Sequence, residues 1–235
     1  MSGSASSFHS RLYNDFKDID TYSHQLIVDF YQQFEEDIQR LKFHEFFELQ
    51  VTYIDALFEV AAYDNLLEVC DETIIAVIEN NIQYHHGEDI YRKLLFRKAA
   101  AHYNLLEYHK AEFVLQELIK IDPDDFEAVR FYNKCQIQHP PKYVQHARST
   151  ALILFLFTAM IICFEMSYFG FGSEPNAMAL LIEITRNVVF LGGWVVLIVG
   201  DGIFRYKTFM NTNDFAEAAR RERQRIESVP VYSRK

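Results

Sequence analysis

The sequence predicts an all-α protein: an α-solenoid of repeated helices followed by a transmembrane helical hairpin. Only 8 Gly and 5 Pro occur among 235 residues, which disfavours a turn-rich all-β fold. Apolar residues recur at helical spacing through the first part of the chain. Two charge-free runs near the C-terminus, each about 20 residues long once its flanks are counted, are long enough to cross a bilayer. These observations predict one water-facing part and one membrane part.

Charge divides at the same place as hydrophobicity. The chain carries a net charge of −10, but residues 1–147 hold 13 Lys and Arg against 25 Asp and Glu. Residues 148–235 hold 10 basic and 8 acidic residues. An acidic bulk argues against nucleic acid as a partner, because such proteins are usually strongly basic. An aromatic content of 15% excludes disorder throughout the chain.

The N-terminal part is predicted as a polar segment, 1–21, and a helical domain, 22–141, with one or two helices expected within 12–40 before the first clear repeat. The first residues contain no apolar run, so no secretory signal is expected. Neither Gly nor Pro interrupts the chain from Ser23 to His86. A buried stripe is expected there from four apolar residues at helical spacing: Leu26, Phe30, Phe34 and Ile38. The three Cys residues are widely separated and form no disulfide framework, which favours a reducing compartment.

The clearest pattern covers 92–125 (RKLLFRKAAAHYNLLEYHKAEFVLQELIKIDPDD). Two helices are expected to meet at residues 106–108, and Asp122-Pro123 ends the second. Small residues permit close helix approach and aromatic residues fill the hairpin, namely Ala99, Ala101, Tyr103, Tyr108 and Ala111. This stretch resembles a tetratricopeptide repeat, whose unit is 34 residues long, with Leu95 where that family often has Trp.

A degenerate second copy lies 45 residues earlier, where Tyr63 aligns with Tyr108 and Phe58 with Tyr103. The extra residues are expected to form an extended connector over 80–88. Residues 126–138 are predicted as the first helix of a third unit. Repeats of this kind stack into a solenoid with capped ends.

The resemblance implies a groove, lined by the first helix of each unit, that binds a peptide or a partner helix. The implied groove residues are Lys93, Phe96, Ala100, Tyr103 and Asn104, extended by Arg130 and Lys134 on one side and by Val51, Asp55 and Phe58 on the other. Aromatic residues with basic residues at one end suit a segment with an acidic end. Glu127 and Phe131 depart from the family's carboxylate-clamp pattern. Alternatively, Phe96 and Tyr103 are simply core residues.

The hairpin is expected over 142–204, with spans at about 149–169 and 183–204. Basic residues flank both spans on the side of the termini, which places both termini in the cytoplasm. Gly170, Gly172 and Pro175 are expected to form the outer turn. The alternative is a pair of buried core helices in a soluble domain.

Four ionisable residues lie in or near the spans: Glu165, Glu183, Arg186 and Asp201. They either have a function in the membrane or reach the headgroups by snorkelling. Asp201 is expected at the cytoplasmic end of the second span, beside Arg205. Two Gly pairs, at 192–193 and at 200 and 202, suggest close packing of the helices or a homo- or hetero-oligomer through the hairpin.

The remaining segment, 205–235, is a basic tail predicted to be cytoplasmic. A helix is expected to begin at the Asn213-Asp214 cap. Its Arg220, Arg221, Arg223 and Arg225 are expected to face anionic headgroups, the acidic domain or solvent.

Catalytic patterns are poor. His44-Glu45 lacks the second His of a zinc-protease helix, and His85-His86 lies in an expected loop with no further ligand nearby. We therefore expect no enzyme activity, no metal and no cofactor.

Taken together, the sequence predicts a membrane-anchored scaffold that recruits a protein partner to the cytoplasmic face of a membrane. The alternative is a small subunit of a transport or channel-like membrane complex whose hairpin carries the function. A bacterial inner membrane is the expected location, although a eukaryotic organelle surface would give the same topology.

Overall fold

The all-α prediction is confirmed by a computed structural model, which describes residues 11–169 and 177–228. Within those ranges the only strands form one two-stranded antiparallel ribbon. The elements in chain order are α1 (11–17), α2 (His24–Gln33), α3 (Glu35–Ile38), α4 (Phe43–Glu59), α5 (Tyr63–Glu79), β1 (Tyr84–His85), β2 (Glu88–Asp89), α6 (Ile90–Asn104), α7 (Tyr108–Ile121), α8 (Phe126–Ile137), α9 (Lys142–Phe169) and α10 (Ala177–Ser228).

The chain divides into two compact units, one ending at Cys135 and the other beginning at Gln136. The division therefore falls in the last turn of α8, six residues before the predicted end of the helical domain. The predicted turn residues Gly170, Gly172 and Pro175 lie outside the described residues.

The core of the first unit begins earlier than the sequence suggested. A helix was expected from about residue 12, and α1 is that helix, but residues 1–21 were expected to be polar, whereas Leu12 and Phe16 are buried in the main hydrophobic cluster. The predicted stripe on α2 is also wrong in part, because Leu26 is 60% exposed while Ile27 and Tyr31 are buried. The stripe is rotated because α2 faces both α1 and α4, so its apolar positions do not follow one four-residue row.

Two helical hairpins of the first unit match at the predicted offset of 45 residues. The helices α4 and α6 end 45 residues apart, as do the starts of α5 and α7. Both turns contain a residue at positive φ, Ala61 at 60° and Leu106 at 62°. The Phe58 and Tyr63 rings meet at 5.8 Å and 66°, and the equivalent Tyr103 and Tyr108 rings meet at 5.2 Å and 66°.

In the second unit, α9 and α10 pack side by side. Close approach occurs at two of the four glycines: a Cβ on Gly193 would meet the Phe155 ring at 2.8 Å, and one on Gly200 would meet the Ala147 Cβ at 2.8 Å. Gly192 and Gly202 face open space. The interhelical contact therefore uses one glycine of each pair.

The predicted helix start at Asp214 is wrong, because α10 continues unbroken from Ala177 to Ser228. The cap sequence does not interrupt the helix because no Gly or Pro follows the second apolar run before residue 228 except Gly202. Thr208 and Thr212 are buried, and the Thr212 hydroxyl donates a hydrogen bond to the Thr208 carbonyl at 2.9 Å and lies 3.3 Å from the side-chain amide of Gln136. Because the Thr212 side chain just before Asn213-Asp214 is hydrogen-bonded within the unit, the chain stays helical through this cap sequence.

Candidate functional site

The residues predicted to line a groove lie across α4, α6 and α8 of the first unit. On the α4 side, Asp55 holds two basic residues of α6: its carboxylate lies 2.8 Å from Lys93 Nζ and 3.1 Å from Arg97 Nε. Lys93 Nζ is also 3.4 Å from Glu88. Lys93 is thus engaged within the protein, and its charge holds α4 and α6 together.

Arg97 is a residue that the sequence-based prediction missed. Its guanidinium lies 4.4 Å from the centre of the Phe58 ring, close enough for a cation–π contact. Asp55, Lys93 and Arg97 form one ion-paired group between α4 and α6. The α4 side of the predicted groove therefore contributes packing contacts between these two helices. The sequence signal that could have identified Arg97 is its position four residues after Lys93 on the same helix, which lets both basic residues pair with Asp55.

On the α8 side the surface is aromatic and basic. The Phe131 ring lies 5.5 Å from the Phe96 ring and 5.4 Å from the Tyr103 ring. Lys134 Nζ lies 4.6 Å above the Tyr103 ring. Phe96, Tyr103 and Phe131 are all half-buried, so their rings are both packed and accessible.

Of the remaining predicted residues, Val51 of α4 is only 4% exposed and lies in the main hydrophobic cluster, while the others lie on α6 and α8. Asn104 and Arg130 are exposed and Ala100 is half-buried. Within the described residues, Arg130 has no ion pair. We call the set Phe96, Tyr103, Asn104, Arg130, Phe131 and Lys134 the α6–α8 surface.

The position of α8 is fixed by Asp125. Arg92 donates two hydrogen bonds to its carboxylate, at 2.6 and 3.0 Å, and Asp125 also accepts from the backbone N–H groups of Glu127 and Ala128. Burial disfavours the charged carboxylate, but these donors outweigh it and hold the pKa of Asp125 below its usual value. The same Arg92 pairs with Glu127 at 3.0 Å.

Three of the tail arginines pair within their own helix. Arg221 with Glu217, Arg223 with Glu227 and Arg225 with Glu222 are separated by 3.3, 3.1 and 3.7 Å. These are exposed pairs one turn apart, while Arg220 is half-buried. Such pairs contribute only a few tenths of a kcal/mol to helix stability and leave the arginines available to an anionic surface.

The ionisable residues of the hairpin form two interhelical ion pairs. Arg186 lies 2.7 Å from Glu165, and Arg148 lies 3.0 Å from Asp201. Asp201, expected near Arg205 at the cytoplasmic end of its span, thus pairs with Arg148 of the neighbouring helix. Since 15 residues separate Arg186 from Asp201 on α10, the pairs bracket roughly 22 Å of helix.

Exchanging the charges of one pair tests its role in holding the hairpin together. We expect Glu165→Arg alone to destabilise the α9–α10 contact by about 1 kcal/mol, because it replaces an attraction by a repulsion. The double variant Glu165→Arg/Arg186→Glu should recover most of the loss. Fluorescence of Trp194 during SDS titration of the detergent-solubilised chain measures both. Equal stability of the single and double variants would contradict the pairing.

Residues with metal-binding or catalytic character do not converge. Among the described residues no group of three or more His, Cys, Asp and Glu side chains is placed to hold a metal ion. Buried Glu48 accepts hydrogen bonds from Tyr13 at 2.6 Å and Lys17 at 2.5 Å, and His86 Nε2 is 3.7 Å away. Burial works against its charge, but these partners lower the pKa of Glu48. This cluster ties α1 and the β-ribbon to α4.

Comparison with known proteins finds no matching family model, no matching curated protein and no matching solved structure. The tetratricopeptide resemblance therefore remains a prediction from the residues quoted above.

Proposed function

We propose that this chain is a membrane-anchored adaptor whose first unit recruits a protein partner. The α6–α8 surface carries the proposal: it combines three accessible aromatic rings with the side chains of Asn104, Arg130 and Lys134. Aromatic residues supply contact area, and the basic residues favour an acidic segment. The offset of 45 residues between two helical hairpins supports a tetratricopeptide-like solenoid as the scaffold.

The anchor in this proposal is the hairpin of α9 and α10. Both helices contain apolar windows, with mean hydropathies of 2.1 and 1.9, that are long enough to cross a membrane, and only 11% of each window is buried. A core helix of a soluble protein would be mostly buried. Lys142, Arg148, Arg205 and Lys207 support a cytoplasmic location for the flanks, as in a bacterial inner membrane. Resistance to alkaline carbonate extraction is expected, and extraction would end the anchor proposal.

Site-specific photocrosslinking in intact membranes tests recruitment. A photoreactive residue at Asn104 should crosslink a protein, whereas one at Phe113, exposed on α7, should not. Arg130→Glu/Lys134→Glu should lower the Asn104 yield about tenfold because it reverses the charge that faces an acidic segment. The control Lys110→Glu/Lys120→Glu makes the same charge change on α7. Equal losses in both variants would contradict a specific surface.

A second candidate function is that of a small subunit in a membrane complex. The two interhelical ion pairs and the apolar side chains exposed along α9, such as Leu156 and Met160, favour it. Under this candidate, crosslinks from exposed hairpin positions identify the partner and those from Asn104 do not.

A further inference from the structure

A pocket of about 440 Å³ lies in the first unit between α2, α3, α4 and α5. None of the residues predicted to bind a partner lines it. Its lining is polar and aromatic, and it includes three carboxylates: Glu35 from α3 and Glu68 and Glu72 from α5. The pocket is therefore distinct from the α6–α8 surface.

These three carboxylates differ from most acidic residues around them. Asp55, Asp71 and Asp125 are each paired with a Lys or Arg. Within the described residues, by contrast, the side-chain carboxylates of Glu35, Glu68 and Glu72 have no hydrogen bond and no ion pair. Glu68 and Glu72 are also one turn apart on α5, where like charges repel. The site thus carries uncompensated negative charge.

A buried acceptor lies in the same pocket. Gln50 is only 3% exposed and lines the pocket, yet its Oε1 has no hydrogen-bond donor in the described part of the chain. Buried polar atoms almost always have a partner, so an unpaired one needs an explanation. A ligand with an N–H group would supply the missing donor.

Aromatic rings form another part of the wall. Tyr31 and Tyr53 stack with ring centres 3.9 Å apart and planes 3° from parallel. Burial raises the pKa of both Tyr31 and Tyr53, and the Glu35 and Glu72 carboxylates raise that of Tyr31 further, so both phenols stay neutral. Each ring covers one face of the other, and the residues are only 5% and 4% exposed, so they supply a neutral wall beside the carboxylates.

The chemistry excludes two kinds of cation. A metal ion needs converging ligands, and no described group of three His, Cys, Asp or Glu side chains meets that need. A quaternary ammonium has no N–H to give to Gln50. We propose that the pocket binds an organic cation that bears N–H groups, a primary ammonium or a guanidinium, with its charge on the glutamates and one N–H on Gln50 Oε1.

Such a group belongs either to a free amine or to a basic side chain of a peptide. Isothermal titration calorimetry of the full chain in phosphatidylcholine nanodiscs distinguishes them, with spermidine and acetyl-arginine amide as probes. We expect one site per chain and at least tenfold weaker binding of tetramethylammonium. Tighter spermidine binding assigns a free amine, and tighter acetyl-arginine amide binding assigns a side chain. Failure of both probes to bind, or equal tetramethylammonium binding, would overturn the proposal.

Matched variants locate the binding. Glu68→Gln/Glu72→Gln should weaken binding of the better probe at least tenfold, and Gln50→Leu should do so without lowering the thermal midpoint. The control Asp29→Asn/Glu79→Gln makes the same charge change outside the pocket. An equal loss in the control would show attraction to a generally acidic surface and would refute the site. The calorimetric result does not depend on whether a protein is crosslinked from Asn104, so the pocket and the proposed function are tested separately.

Discussion

Asp125→Ala is expected to cost the first unit about 3 kcal/mol of unfolding free energy. The substitution removes two charge-assisted hydrogen bonds from Arg92 and the side chain that caps α8. A charged hydrogen bond contributes about 1.5–3 kcal/mol, and a helix cap about 1 kcal/mol. Because the Asp125 side chain is only 3% exposed, water does not replace these contacts in the folded chain.

The buried thiols of Cys70 and Cys135 report this loss. Burial raises the pKa of each to about 12, so they are protonated and protected at pH 8 until the unit unfolds. Urea-dependent thiol labelling of the detergent-solubilised full chain, with exposed Cys163 replaced by Ser, gives the unfolding free energy. The matched control is Glu127→Gln, an exposed partner of Arg92 expected to change stability by less than about 0.5 kcal/mol. Comparable losses in the two variants would show that the buried network is not what holds α8.

The same residue gives the unit part of its acid sensitivity. The pKa of Asp125 is lowered in the folded chain, so its stabilisation is present above the ordinary pKa of Asp and disappears as pH falls through the lower folded value. The Asp125→Ala variant should therefore show a shallower loss of stability below about pH 4 than the parent chain.

Gly200→Ala is expected to destabilise the α9–α10 contact by about 2 kcal/mol. The added Cβ would lie 2.8 Å from the Ala147 Cβ, and neither atom can rotate away, so the helices must separate. Separation would also strain the neighbouring ion pair of Arg148 and Asp201. Overpacking of a close helix contact typically costs about 1–3 kcal/mol.

Trp194 is the chain's single Trp and contacts Phe155 of α9, so its fluorescence during SDS titration reports separation of the helices. Gly192→Ala and Gly202→Ala add the same methyl group to the same helix in open space. These controls should lose no stability. If either control loses as much stability as Gly200→Ala, the effect comes from α10 itself and not from its contact with α9.

Local patterns in the sequence were sufficient for the helical hairpin of α6 and α7. The small residues, the aromatic pair and Pro123 all act within about 35 residues, and the helices begin and end where those signals lie. The backbone of the turns was not specified in this way. Ala61, Asn81 and Leu106 adopt positive φ although none of them is Gly, because packing of the following helix outweighs the local strain.

The candidate surface likewise combines features that the sequence predicted with features that only helix packing determined. The tetratricopeptide resemblance implied that Lys93, Phe96 and Tyr103 face one groove, but it did not reveal that Lys93 is engaged by Asp55 from another helix. Pairing between helices depends on how they pack, and one sequence carries no direct record of that packing. The acidic pocket was missed for the same reason, since its carboxylates come from α3 and α5.

The all-α class, the repeat at 45 residues and the two apolar helices followed from the sequence alone, because helix formation and hydrophobicity are set by residues close together in the chain. The tertiary structure decided where α10 continues, which glycines face α9, and which charges pair. It also brought Gln50, Tyr31 and the three glutamates into one pocket. These features join residues distant in sequence, and only the packing of the helices determines which of them meet.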